Sequence, residues 1–191
     1  IADPNFGTKT GNNDYFYFES KEEYEEFGLD DRFVTPILKH IAQTEYIRLT
    51  NEDPTWYVLD LHDIVTEILS KTRNSIMEQR SYEEILMDEF EARGWDNLIQ
   101  YLKVGREQDV HEGTSVQNIG KVWFDVGELP IAQIILPKEY WRDSRVLWNE
   151  AGIPLDQRNM EVDLTDNNVD PFVLLGIMNS SIFPLMREIE G

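Results

Sequence analysis

Cysteine is absent from the chain, so disulfides and thiolate chemistry are excluded; the composition fits a reducing, cytoplasmic setting. No apolar run approaches the roughly 20 residues that a membrane helix requires, and the longest candidate, Phe172 to Met178, leads straight into Asn179-Ser180-Ser181. No two glycines stand in G-x-G spacing, so neither a dinucleotide fingerprint nor a phosphate loop is expected. The three histidines, His40, His62 and His111, are too far apart in sequence to form a metal motif and read as surface or helix-end residues. G-x-S-x-G is missing as well, which removes one class of hydrolase. Basic residues are scarce: 17 Lys+Arg face 37 Asp+Glu, a formal net charge of −20.

What is present suffices for a core. Hydrophobic residues make up 41% of the 191 and aromatics 12%, which argues against disorder and suits one domain or two small lobes sharing a core. The acid is unevenly spread. Glu19 to Asp31 carries seven carboxylates against Lys21 alone, whereas from Lys138 to Arg158 four bases (Lys138, Arg142, Arg145, Arg158) meet four acids. The first twelve residues are balanced too, with Lys9 against Asp3. Such a surface opposes phosphate overall but leaves room for a small neutral or basic groove. Two other readings compete: a mimic of DNA phosphate, and a chain adapted to a salt-rich cytoplasm.

The pattern of elements predicts an α+β fold, with short mixed or antiparallel strands, a helical middle segment over 61–103 and a C-terminal helical pair. Asp3-Pro4-Asn5-Phe6 reads as a lead-in turn and Gly7 to Asp14 as a turn-rich loop, before an aromatic strand Tyr15–Phe18. Ser20 with Glu23, and Ser81 with Glu84, have the spacing of capping boxes, with Gly28 and Gly94 as helix stops. Gly105 to Gly120 reads as a loop or hinge. Strands are expected near Tyr46–Leu49, Trp56–Leu61, Ile131–Leu136, Val146–Trp148 and Met160–Leu164. Asp170-Pro171 should start a helix over Phe172–Met178, and a second should run from Ile182 to Glu190. Both ends look cut from a longer polypeptide.

Two segments carry a resemblance. Gly7-Thr8-Lys9-Thr10-Gly11-Asn12-Asn13-Asp14-Tyr15-Phe16-Tyr17-Phe18 resembles the G-x-x-T-G-x-N-x-F-F-Y opening of the specificity domain in TaqI-like adenine-N6 DNA methyltransferases and fused restriction-modification proteins. Leu174-Leu175-Gly176-Ile177-Met178-Asn179-Ser180-Ser181, followed by Arg187 to Gly191, resembles the L-L-x-x-L-N-S-S-L stretch and E-x-x-G-R end of the same domain. The expected arginine after Gly191 is missing, and the helical middle aligns with no motif of that family. The resemblance implies a DNA target-recognition domain over 1–191, partnered by double-stranded DNA and by a catalytic domain upstream of Ile1. S-adenosylmethionine would serve the parent enzyme and no cofactor this segment, which on its own is expected to be non-catalytic.

The candidate DNA contacts follow from residue chemistry. Lys9 suits a phosphate, while Thr10, Asn12 and Asn13 offer compact donors and acceptors for base edges, unless they only shape a tight turn. Arg142, Arg145, Asn149 and Arg158 form the best groove candidate, against a bland reading in which the arginines pair with Asp143, Glu150 and Asp156. Asn179 and Arg187, in the closing motif, complete the set; their plain readings are a link between helices and pairing with Glu188 or Glu190. The rival function is an acidic DNA mimic or a protein-interaction module without DNA affinity.

Overall fold

The computed structural model describes residues 4–53, 55–72, 80–139, 145–162, 169–183 and 185. The fold is α+β, as the sequence pattern predicts, and the chain divides into two compact units. One consists of Ile1–Thr8, Ile37–Thr55 and Leu129–Gly191; the other of Lys9–Pro36 and Trp56–Glu128.

The first unit is built on a five-stranded sheet of β1 (Pro4–Phe6), β4 (Arg48–Leu49), β6 (Ile134–Pro137), β7 (Leu147–Asn149) and β8 (Asn159–Val162), in the order β1-β8-β6-β7-β4. The pairings are antiparallel except β4 with β7, which is parallel. Alternation along β6 gives the sheet two apolar faces. Ile135 joins Leu38, Leu49, Leu147 and Leu155 in one buried cluster. Ile134 and Leu136 point the other way, into a cluster with Val146, Val162, Leu175 and Met178. The last two come from helix α6 (Pro171–Met178), whose first turn is held by Asp170 Oδ1 accepting from the Phe172 and Val173 N–H groups at 2.8 and 3.3 Å. The expected second helix lies mostly outside the described residues. The described part of the expected lead-in turn is a strand instead: Pro4–Phe6 forms the edge strand β1, with Phe6 opposite Met160.

The second unit holds a three-stranded sheet, β2 (Tyr17–Phe18), β5 (Trp56–Leu59) and β3 (Val34–Ile37), in the order β2-β5-β3. Its helices are α1 (Asn13–Phe16), α2 (Lys21–Glu26), α3 (His62–Lys71), α4 (Tyr82–Ala92) and α5 (Asp96–Glu107). The Ser81–Glu84 box forms as spaced: the Glu84 N–H donates to Ser81 Oγ at 3.3 Å and the Ser81 N–H to Glu84 Oε2 at 2.9 Å. Gly94 ends α4 with φ +71°.

Two expectations fail here. Tyr15–Phe18 is half helix and half strand, because Asn12 Oδ1 accepts the Tyr15 N–H at 3.2 Å and starts a helical turn before β2 can begin. Gly105–Gly120 is not a free loop: α5 continues through Gly105 to Glu107, and short 3-10 turns follow at Val110–Glu112 and Val116–Asn118. Gly105 stands there because a Cβ would strike the Tyr15 ring. That ring stacks on Tyr101 with centroids 4.8 Å apart, and the two hydroxyls donate reciprocally to each other's backbone carbonyls at 3.0 and 2.5 Å. Burial raises the pKa of both phenols.

Candidate nucleic-acid interface

Within the first unit, strand register gathers the bases that the sequence spaces apart. Pro137 of β6 lies opposite Asn159 of β8, so the next pair outward is Lys138 and Arg158, joined by the Lys138 N–H donating to the Arg158 carbonyl at 2.9 Å. Leu38 is tied to the segment before β8 by a bridge to Leu155 and by the Leu38 N–H donating to the Pro154 carbonyl at 2.9 Å. Two residues on, His40 reaches Arg158, whose Nη1 donates to the imidazole Nε2 at 2.7 Å. The His40 backbone is fixed because Gln43 Oε1 accepts from the Lys39 and His40 N–H groups at 3.1 and 2.7 Å. Arg145, just ahead of β7, donates through Nη2 to the Thr44 carbonyl at 2.8 Å and through Nη1 to the Glu45 carbonyl.

His40, Ile41, Pro137, Lys138, Arg145 and Arg158 line one open pocket of about 790 Å³. Its electrostatics differ from those of the rest of the chain. Arg48 pairs with Glu150, Arg32 with Asp30, Arg93 with Glu89 and Glu67, Arg80 with Asp88 and Arg106 with Glu83. Among the described arginines, only Arg145 and Arg158 lack a carboxylate partner; Arg145 is held by carbonyls and Arg158 by a neutral ring. The Lys138 ammonium lies 5.0 Å over the Phe6 ring. Asp156, beneath, is fully buried and accepts the Arg158 N–H at 2.9 Å, and Glu139 is the acidic residue of the lining. The His40 pKa is lowered, by burial first and then by Arg158 and Lys39, with Asp156 opposing.

The family described as the C-terminal domain of Type II methyltransferase M.Eco57I matches the chain over residues 1–191. The chain belongs to this family. No curated protein matches it. As a Type II methyltransferase C-terminal domain it has both compact units inside one family match, with the basic pocket entirely in the first.

Of the remaining candidates that lie among the described residues, all but Lys9 are committed to structure. Thr10 is buried and donates through Oγ1 to Asn13 Oδ1 at 2.8 Å, while Asn12 caps α1. The turn they shape needs its glycines. A Cβ at Gly7 would run into the Leu155 and Asp156 carbonyls, and Gly11 has φ +81°. Lys9 is exposed, and all four of these polar residues belong to the second unit, not to the unit of the pocket. Asn149 is buried in β7, its amide donating to the Ala132 and Ile153 carbonyls at 2.9 Å and its oxygen accepting the Ile153 N–H at 3.0 Å. Asn179 ties α6 to the start of β7: its oxygen accepts the Val146 N–H at 2.9 Å and its amide donates to the Val146 carbonyl at 2.9 Å. Arg142 and Arg187 lie outside the described residues.

Sequence reasoning missed His40 and left Lys138 unassigned. Lys138 was visible as the first base of the balanced stretch, but His40 is 118 positions from its partner and had no local signal. Among the described residues no group of three His, Cys, Asp or Glu could hold a metal ion, and no helix is long and apolar enough to cross a membrane.

Proposed function

We propose that this C-terminal domain recognises the DNA target of an adenine-N6 methyltransferase of a restriction-modification system, and that the Lys138–Arg158 pocket is a DNA-contacting surface. The observation that carries this reading is the pocket's charge. In a chain with 37 carboxylates and 17 bases, Arg158 and Lys138 are held side by side, and among the described residues neither side chain has a carboxylate partner. The other described arginines outside the pocket all pair with carboxylates; cations left facing a pocket suit phosphate, and the spare edge of a guanidinium suits a guanine. Adenine specificity rests on the resemblance of the Gly7–Phe18 and Leu174–Ser181 segments to the adenine-N6 enzymes.

Methyl transfer would belong to a catalytic domain of the parent enzyme, to which S-adenosylmethionine would also bind. The pocket's charge does not favour that cofactor: the sulfonium and ammonium of S-adenosylmethionine outweigh its one carboxylate, and in the lining Lys138, Arg145 and Arg158 outnumber Glu139. What this domain contributes is the positioning of the duplex, so that the target base can leave the stack towards the catalytic half.

Full-length methyltransferase carrying Arg158→Ala or Lys138→Ala, assayed on a panel of single-base site variants, tests the proposal. A residue that reads a base costs about 1–3 kcal/mol and relaxes discrimination at one position. One that holds phosphate weakens all sequences alike and lowers the salt slope by about one unit. Unchanged rate and specificity in both variants removes the pocket from DNA recognition.

A further inference from the structure

Arg158 is always protonated, so in its contact with His40 the arginine is the donor and Nε2 must carry a lone pair. The contact therefore exists only with neutral imidazole whose proton sits on Nδ1. Resting on the reading of this pocket as a phosphate site, we propose that phosphate binding here is coupled to protonation of His40. The ring would then give up its role as acceptor for Arg158 and become a third cation on the anion, beside Arg158 and Lys138.

The geometry supplies both states. Without an anion, His40 Nε2 is the partner that stops the Arg158 guanidinium from being an isolated charge, and a proton on the ring would set two cations 2.7 Å apart. The surroundings of His40 favour the neutral ring: burial disfavours a charge on it first, Arg158 and Lys39 repel one, Asp156 attracts one, and the same lining carries Lys138, Arg145 and Glu139. A phosphate oxygen between Lys138 and Arg158 shifts the balance towards the charged ring. It accepts the Nη1 hydrogen released from Nε2, it offsets the repulsion from the neighbouring cations, and the freed lone pair takes a proton from solvent. Because Gln43 fixes the backbone at His40, the ring needs no rearrangement of the chain to make the change. The linkage has one sign. Anion binding raises the ring's affinity for a proton, so acid raises the affinity for the anion.

The test is the affinity of the full-length methyltransferase for a short labelled DNA duplex of random sequence, at constant ionic strength, between about pH 8 and about pH 6. Binding should tighten about three- to tenfold on acidification, since a roughly tenfold gain in the ring's proton affinity can tighten the anion by at most the same factor. His40→Gln retains an acceptor for Arg158 and cannot charge, so its profile should be flat over the same range. Arg158→Ala should weaken binding at every pH. Two results overturn the coupling: an acid-tightening in His40→Gln equal to that of the unmodified protein, or binding that loosens as the pH falls. If Arg158→Ala and Lys138→Ala both bind normally, the phosphate reading of the pocket fails first. If they weaken binding while the His40→Gln profile keeps its slope, only the coupling fails. Should His40→Gln not fold, calorimetry of the unmodified protein in two buffers of different ionisation enthalpy decides instead. Net proton uptake on binding the duplex supports the coupling, and none overturns it.

Discussion

Asp60 shows how one side chain's surroundings turn into a dependence on pH. Its carboxylate accepts from Thr35 Oγ1 at 2.8 Å and from the His62 N–H at 3.4 Å, yet burial outweighs both hydrogen bonds and raises its pKa above the usual carboxylate range. A group that holds its proton more tightly folded than unfolded carries no penalty while both states are protonated. The penalty enters as the pH rises through the carboxylate range and is complete above the folded pKa. Asp60→Asn keeps an oxygen for Thr35 and for the His62 amide but has no charge to bury. The variant should be more stable than the unmodified protein at about pH 7, and the advantage should vanish towards about pH 3, as urea unfolding at the two pH values would read. A variant less stable at neutral pH would mean that the hydrogen bonds to the charged form, not its desolvation, dominate.

At the scale of elements, two helical glycines with opposite surroundings make a paired prediction. In α5 a Cβ at Gly105 would meet the Tyr15 ring, whereas at Gly176 in α6 nothing lies within 4 Å. Gly105→Ala should cost roughly 1–3 kcal/mol through overpacking. Gly176→Ala should add about 0.5–1 kcal/mol through helix propensity, and thermal unfolding of the two variants should move in opposite directions. The same contrast explains what could be read in the sequence. Capping signals act within four residues, so the Ser81–Glu84 box and the Asp170-Pro171 start were legible. Gly105 looked like a loop signal because its real cause, Tyr15, is ninety positions away in the chain. Tyr15–Phe18 gave no alternation because all four side chains are buried, and a cap from Asn12 decided its first half. The site divides the same way. Arg145 and Arg158 stood out by charge balance alone, but whether an asparagine faces outward or, like Asn149, spends its amide on Ala132 and Ile153 depends on strand register. No local pattern encodes that register.

For the whole molecule the governing quantity is the net charge of −20. Among the described residues its lysine and arginine ion pairs are exposed on at least one side chain, as with Lys21–Asp31 and Lys71–Glu67, so solvent screens them and each adds little to stability. Far more carboxylates than bases remain, so the sum over longer distances is repulsive, and compactness concentrates it. Salt therefore acts on two properties of this chain with opposite signs. Raising ionic strength from about 0.1 M to about 1 M shortens the screening length from about 10 Å to about 3 Å, which removes most of the repulsion and little of the pairing. The unfolding temperature should rise. Over the same range the affinity of the full-length methyltransferase for DNA should fall, because releasing counterions from the duplex gains less in concentrated salt. The two effects also separate by mutation: Arg158→Ala should reduce the salt slope of DNA binding by about one unit and leave the rise in unfolding temperature intact. Melting curves and binding isotherms on one salt series measure both. A chain whose stability fell with salt would owe more to its ion pairs than to relief of its acid. A slope unchanged in Arg158→Ala would place the phosphate contacts away from the pocket.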